Sequence, residues 1–304
     1  MEGAPPSAVF FGGASWGCIY HMGVYDGLVS RFGADALRCS TVWGGTSSGA
    51  LVALSAALGW TPAEVRGIYD ELAALARAYG VFGKMSIYHA LVLARALPDG
   101  GDEWENLLGR LHVGVTVGLA RFELVSTWRS NAELRDIMHA SMHIPFYMNH
   151  IACFGDRRRA LDGGFSQNLA APLAGRPTVT VCCFSRGATL RPPPGALYGL
   201  FSHCFAPMSP QRCDAAAAAA REDTRVADLT VDLGAPLCTP LRSRGLCDGL
   251  PAVLLGGPLL PRAALQFVVC VGGWGLRWAE EIPTMLVVLA SAGGAFWMRA
   301  RLRG

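Results

Sequence analysis

Short apolar runs alternate with amphipathic ones along this chain, and glycine marks most of the joints between them. Ser7-Ala8-Val9-Phe10-Phe11 is an apolar run that predicts a strand. The glycine-rich stretch Gly12 to Gly17 follows, and Cys18 to Val29 then places apolar residues at i, i+3 and i+4, which predicts a helix. The order repeats at once. Leu37 to Trp43 is rich in β-formers, Gly44 to Gly49 turns the chain, and Leu51 to Leu58 is an Ala/Leu-rich helix. Thr61-Pro62-Ala63-Glu64 joins an N-cap hydroxyl, a first-turn proline and a capping-box glutamate, so a helix should run through Val65, Ile68, Leu72 and Leu75. Ser86 to Leu97 reads as a further helix, stopped by Pro98-Asp99-Gly100-Gly101. Leu111 to Val117 and Phe122 to Thr127 read as strands. Ser130-Asn131-Ala132-Glu133 opens a helix with Leu134, Ile137 and Met138 on one face, which ends before Ile144-Pro145. Beyond it Ala160-Leu161 leads into Asp162-Gly163-Gly164, and Pro177 to Phe184 is a β-branched strand. Strands and helices alternating across glycine turns predict an α/β fold with a mainly parallel sheet.

The pattern changes after residue 190. Pro192-Pro193-Pro194-Gly195 breaks regular structure and Ala215 to Ala220 predicts a plain helix. Ala263 to Leu276 and Ile282 to Met298 are almost wholly apolar. The second run falls slightly short of the ~20 residues that a spanning helix needs, so a membrane anchor, an interfacial hairpin and a buried core helix all remain open. The expected organisation is a catalytic α/β domain over 1–190, a Pro/Ala-rich segment over 191–250, and a hydrophobic membrane-associating segment over 251–304.

Composition narrows the function. Of 304 residues, 52% are hydrophobic and 16% charged, a greasy balance for an enzyme of this length. The net charge of +3 is small and scattered, which argues against a nucleic-acid partner and suits an anionic lipid surface. The ten cysteines include no Cys-x-x-Cys. Met1 to Pro6 lacks a basic or apolar leader, so no signal peptide is expected and free thiols point to an intracellular setting. No spacing suggests metal ligands, and neither metal nor cofactor is expected.

The candidate chemistry centres on Gly45-Thr46-Ser47-Ser48-Gly49, a Gly-x-Ser-x-Gly string between a predicted strand and a predicted helix. Such a turn exposes its central hydroxyl at a helix N-terminus, with glycines where side chains would collide. Ser47 is the candidate nucleophile, while Ser48 should point elsewhere. The loop Gly12 to Gly17 matches neither a P-loop nor a dinucleotide fingerprint; beside a serine elbow, its amides suit an oxyanion. Asp162 has the look of a carboxylate at a strand end. Asp99-Gly100-Gly101 and Asp248-Gly249 read as solvated turns.

Four strings together resemble the patatin-like phospholipase family, in particular its adiponutrin / adipose triglyceride lipase-like branch. They are Gly12-Gly13-Ala14-Ser15-Trp16-Gly17 with Tyr20-His21-Met22-Gly23-Val24, the elbow Gly45 to Leu51, Ser141-Met142-His143-Ile144-Pro145-Phe146-Tyr147, and Asp162-Gly163-Gly164-Phe165-Ser166-Gln167-Asn168. The resemblance implies a three-layer α/β/α sandwich and a Ser47–Asp162 dyad without histidine. It also implies an oxyanion hole from the amides of Gly12, Gly13 and Ala14, with Gly17, Gly45, Gly49, Gly163 and Gly164 supporting these motifs. The implied activity is hydrolysis of acylglycerol or phospholipid esters through an acyl-enzyme, at a membrane or lipid-droplet surface. Ala14 and Trp16 depart from the family's Gly-Gly-Gly-x-Lys/Arg-Gly loop, and the missing cation tilts the expected substrate towards neutral acylglycerols. Two alternatives stand beside this reading: a Ser–Asp–His triad completed by His203, and a catalytically weak protein that binds lipid surfaces.

Overall fold

Strand β1 (Ala8–Phe11) lies between two parallel neighbours, β2 (Val42–Thr46) and β7 (Thr178–Val181). The computed structural model describes residues 4–81, 83–118, 121–144, 147–148, 153–154, 158–185, 187–192 and 206–229. The apolar runs after residue 251, with His150 and His203, lie outside the described residues. Strand β3 (Leu111–Val117) continues the parallel set on β2. Strands β4 (Arg121–Val125) and β6 (Arg158–Asp162) run antiparallel to β3, and β5 (Cys153–Phe154) closes that margin. The seven-stranded order is β5-β6-β3-β2-β1-β7, with β4 on β3. The expected α/β class with its parallel central strands is the observed one.

Alternation along β1 explains how both sheet faces are filled. Phe11 stacks on Trp43 with centroids 6.2 Å apart, and Tyr25 of helix α1 (Cys18–Phe32) meets the Trp43 ring edge-on at 5.8 Å. Ala8 and Phe10 turn the other way, into a cluster with Val42, Ala170 and Leu173. One expectation is corrected here. Residues 37–40 are not strand: helix α2 (Ala34–Ser40) occupies them, Thr41 is already extended, and β2 begins at Val42, where pairing with Ala8 begins. Asp35 in its first turn and Arg38 in its last suit the helix dipole, while Leu37 anchors the turn in the core.

Helix α3 (Ser48–Leu58) follows β2 directly. Helix α4 (Pro62–Tyr79) starts with the capping box read from Thr61 and Glu64, and helix α5 (Met85–Ala96) comes next. Helix α6 (Glu103–Leu107) follows the turn at residues 99–101; its Trp104 N–H donates to Asn131 Oδ1 at 3.0 Å. Helix α7 (Asn131–Ser141) is capped by Ser130, whose hydroxyl accepts from the Glu133 N–H at 3.1 Å. The alanine-run helix α8 (Pro210–Val226) packs along α1, within the same compact unit as the sheet. The crossing is close: a Cβ on Gly23 would come within 2.5 Å of the Ala217 carbonyl oxygen. Tyr20 donates to Asp223 Oδ2 at 2.7 Å across the same interface. Among the described residues, no helix is long and apolar enough to cross a membrane.

Candidate active site

The chain turns from β2 into α3 at Ser47, whose backbone takes φ 54° and ψ −134°. A non-glycine residue there is strained, and the surrounding packing holds it. The flanking glycines are dictated by close approach. A Cβ on Gly45 would lie 2.5 Å from the Gly49 carbonyl, and one on Gly49 would lie 2.3 Å from the Phe11 carbonyl oxygen. The elbow is therefore pressed against the end of β1. Its backbone is tied down by Ser141, which opens one of the four resembling strings but has no role assigned there: the Ser47 N–H donates to Ser141 Oγ at 3.0 Å, and that hydroxyl donates to the Gly114 carbonyl at 2.7 Å.

Strand β3 brings the second residue in. Gly114 pairs with Thr46 of β2, and Val115 pairs with Asp162 of β6. Strand β4 takes the other edge of β3, so the ends of β2 and β6 meet along one edge. The residue after Thr46 thereby arrives beside Asp162. Backbone bonds fix Asp162 there: its N–H donates to the His143 carbonyl at 2.9 Å, and its carbonyl accepts from Thr116 Oγ1 at 2.8 Å. Of its carboxylate oxygens, Oδ1 accepts from the Gly164 N–H at 2.8 Å, whereas Oδ2 is buried with no formed hydrogen bond. The Ser47 hydroxyl is near enough to favour the ionised carboxylate, though not in full hydrogen-bond geometry. Burial outweighs the Ser47 hydroxyl and the Gly164 amide, and the carboxyl is pushed up to about 6.

The glycine loop departs from the sequence expectation. The Gly12 N–H donates to the Val181 carbonyl at 2.8 Å, one bond past the end of β1, so it is engaged with the sheet. The Gly13 N–H donates to Asn168 Oδ1 at 2.7 Å and the Ala14 N–H to Ser48 Oγ at 3.2 Å. Both acceptors are side chains, so an oxyanion could take their places without disturbing the sheet. Asn168 also donates through Nδ2 to the Gly13 carbonyl at 3.3 Å and to Cys182 Sγ at 3.2 Å. It fastens the loop after Asp162 to the glycine loop and to the end of β7. In the sequence it stands as the last residue of the Asp162 to Asn168 string, with no role of its own assigned. Gly17 is buried where a Cβ would touch Cys183 Sγ at 3.0 Å, and Gly163 crosses the Gly114 backbone.

Ser47 opens into a partly open cavity. The walls are apolar: Leu51 and Val52 of α3, Ile68 and Leu72 of α4, and Met85 and Val92 of α5. Trp16, standing where the resembling loops carry a cation, is buried in the wall. Its indole N–H donates to Tyr147 Oη at 3.0 Å, and its carbonyl accepts from Tyr69 Oη at 3.0 Å. Burial leaves Trp16 a packing role that a charged side chain could not fill. His89 also lines the cavity, and burial pushes its imidazole down to about 3, with His139 adding to the effect.

No curated protein matches the chain. A solved structure, that of the type III effector protein ExoU, is similar over 72% of this chain and 52% of its own, with 16% identity and a TM-score of 0.38. The chain thus spans about half of that protein, and a likeness this distant carries no functional weight. The family model of the patatin-like phospholipases matches residues 8–174, a span holding the glycine loop, the elbow and Asp162, and the chain belongs to that family.

Proposed function

We propose that the protein is a serine acyl hydrolase that cleaves lipid esters with Ser47 as nucleophile and Asp162 as its base. One observation carries this reading. A buried carboxylate oxygen, Asp162 Oδ2, has no partner and lies beside the hydroxyl of a strained elbow serine. A free serine hydroxyl is a weak nucleophile until a neighbour takes its proton. A carboxyl raised to about 6 by burial is a better base than an ordinary one and is still ionised at neutral pH.

In this mechanism Asp162 Oδ2 takes the Ser47 proton as Oγ adds to the ester carbonyl. The oxyanion draws the Gly13 and Ala14 amides away from Asn168 and Ser48. The alkoxide leaves with the proton from Asp162, and the acyl group stays on Ser47. Asp162 then takes a proton from the water that attacks the acyl-enzyme and returns it to Ser47 Oγ as the acyl–Oγ bond breaks and the fatty acid leaves. The apolar cavity holds the acyl chain, and the buried Trp16 favours neutral acylglycerols over phosphate headgroups. The run Tyr20 to Val24 supports placement near the adiponutrin / adipose triglyceride lipase-like branch, with lipid surfaces as the site of action.

The test combines a substrate panel with covalent labelling. Triacylglycerol, phospholipid, lysophospholipid and retinyl ester are offered to wild type, Ser47→Ala and Asp162→Asn. A fluorophosphonate should add its mass to the Ser47 peptide and to no other. Ser47→Ala should drop to background, and Asp162→Asn should fall by about 10²–10⁴-fold. Labelling elsewhere, or full activity in Asp162→Asn, would overturn the dyad. The occupied Gly13 and Ala14 amides favour a second reading, a lipid-surface protein of low turnover. Labelling of Ser47 without turnover on any ester would select it.

A further inference from the structure

The geometry points to the outer face of α5, with the end of α4, as the surface that seats the cavity on a lipid layer. This rests on the hydrolase reading, because it supposes substrate arriving from a lipid phase. Among the described residues, three of the five exposed large apolar side chains belong to this hairpin: Tyr79 at 64% exposure, Ile87 at 54% and Leu91 at 42%. Ile87 and Leu91 stand one helical turn apart and form a single stripe. The opposite side of the same helix carries Met85, His89 and Val92 into the cavity that holds Ser47. An α-helix apolar on both sides is normally buried on both. Here one side meets the cavity and the other meets solvent, so only one helix diameter, about 10 Å, separates that stripe from the acyl site.

Charge selects the occupant. Residues 80–97 contain Lys84 and Arg95 and no carboxylate; Arg95 is paired with Glu71 of α4 at 2.7 Å, which leaves Lys84 as the cation of this face. Lys84 sits at the N-cap of α5 with its ammonium 5.9 Å from the Tyr79 ring centroid. A cation carried beside exposed aromatic and aliphatic side chains suits the headgroup boundary of an anionic lipid layer, where the ammonium reaches outward and the apolar groups sink. The partner is therefore a lipid surface bearing acyl esters and some negative charge.

The experiment uses the full chain and the double variant Ile87→Glu/Leu91→Glu, with Ile87→Leu/Leu91→Ile as the conservative control. Neither position lines the cavity, so hydrolysis of a monomeric soluble ester should stay at the wild-type rate. Two readouts follow: co-sedimentation with phosphatidylcholine vesicles, with and without phosphatidylserine, and the ratio of emulsified to monomeric ester hydrolysis. The charged variant should lose about tenfold or more in that ratio, because two apolar side chains no longer enter the layer. Its vesicle-bound fraction should fall, while wild type binds better with phosphatidylserine and less well in salt. An unchanged ratio overturns the assignment, whatever else holds the protein to vesicles. If wild type cleaves neither form of the ester, the hydrolase reading fails on its own; the vesicle-bound fraction then decides the docking face, and an unchanged fraction sinks it. A loss confined to binding of another protein, with lipid binding intact, also overturns it.

Discussion

Replacing Asp162 by asparagine should make the protein more stable and less active, and the size of the gain follows from the site. The Asp162 carboxyl is raised from 3.8 to about 6 by burial at 5% exposure. Roughly two pKa units at about 1.4 kcal/mol each set a cost near 3 kcal/mol for keeping the native carboxylate ionised at neutral pH. The direction is fixed by proton binding. Between about pH 4 and pH 6 the native state holds this proton more tightly than the unfolded chain, so its contribution to stability falls as pH rises and is level above 6. Asparagine removes the titration while keeping the shape: its Oδ1 can still accept from Gly164 N–H, and its amide can donate to Ser47 Oγ. The burial of His21 and His89 pushes both imidazoles down to about 3, but both proteins carry these residues and the comparison cancels them. Thermal unfolding of wild type and Asp162→Asn from pH 4 to pH 8 is the assay. The variant should match wild type near pH 4 and exceed it by about 6–12 °C above pH 6, at roughly 2–4 °C per kcal/mol. Wild-type kcat/KM should rise with pH through a midpoint near 6, as the base ionises. A variant no more stable than wild type at neutral pH, or a stability gap that shrinks as pH rises, would refute the claim that Asp162 is held ionised at a cost.

Other substitutions test the supports of the site. Ser141→Ala leaves the buried Ser47 N–H without its acceptor and should cost about 1–3 kcal/mol in urea unfolding, with kcat falling more than KM. Asn168→Ala frees the Gly13 amide but unties the Asp162 loop from the glycine loop; kcat should fall with KM nearly unchanged, and Asn168→Gln should restore only part of it. Gly23→Leu drives a side chain into the Ala217 backbone and should lower stability by about 1–3 kcal/mol by loosening α8 from α1. His203→Ala should leave ester hydrolysis at the wild-type rate, and a loss matching that of Ser47→Ala would restore the triad alternative.

The sequence by itself determined what short-range physics controls. The Thr61–Glu64 and Ser130–Glu133 caps, the elbow at Ser47 and the strand ending at Asp162 all lie where their own residues place them, because caps and tight turns close within a few residues. Where local preferences conflicted, the reading slipped: β-formers at Cys39 to Val42 hid the helix over Ala34–Ser40, whose end is set by where β2 can pair with β1. The amides of the glycine loop show the same limit. Nothing local tells Gly12 that its N–H will close a ladder with Val181, or Gly13 that Asn168, 155 residues on, will accept its own. The meeting of Ser47 and Asp162 belongs to this second class. It depends on β2 and β6 following one another along one edge of β3, and pairing register between distant strands is settled by the buried face of the whole sheet rather than by either strand.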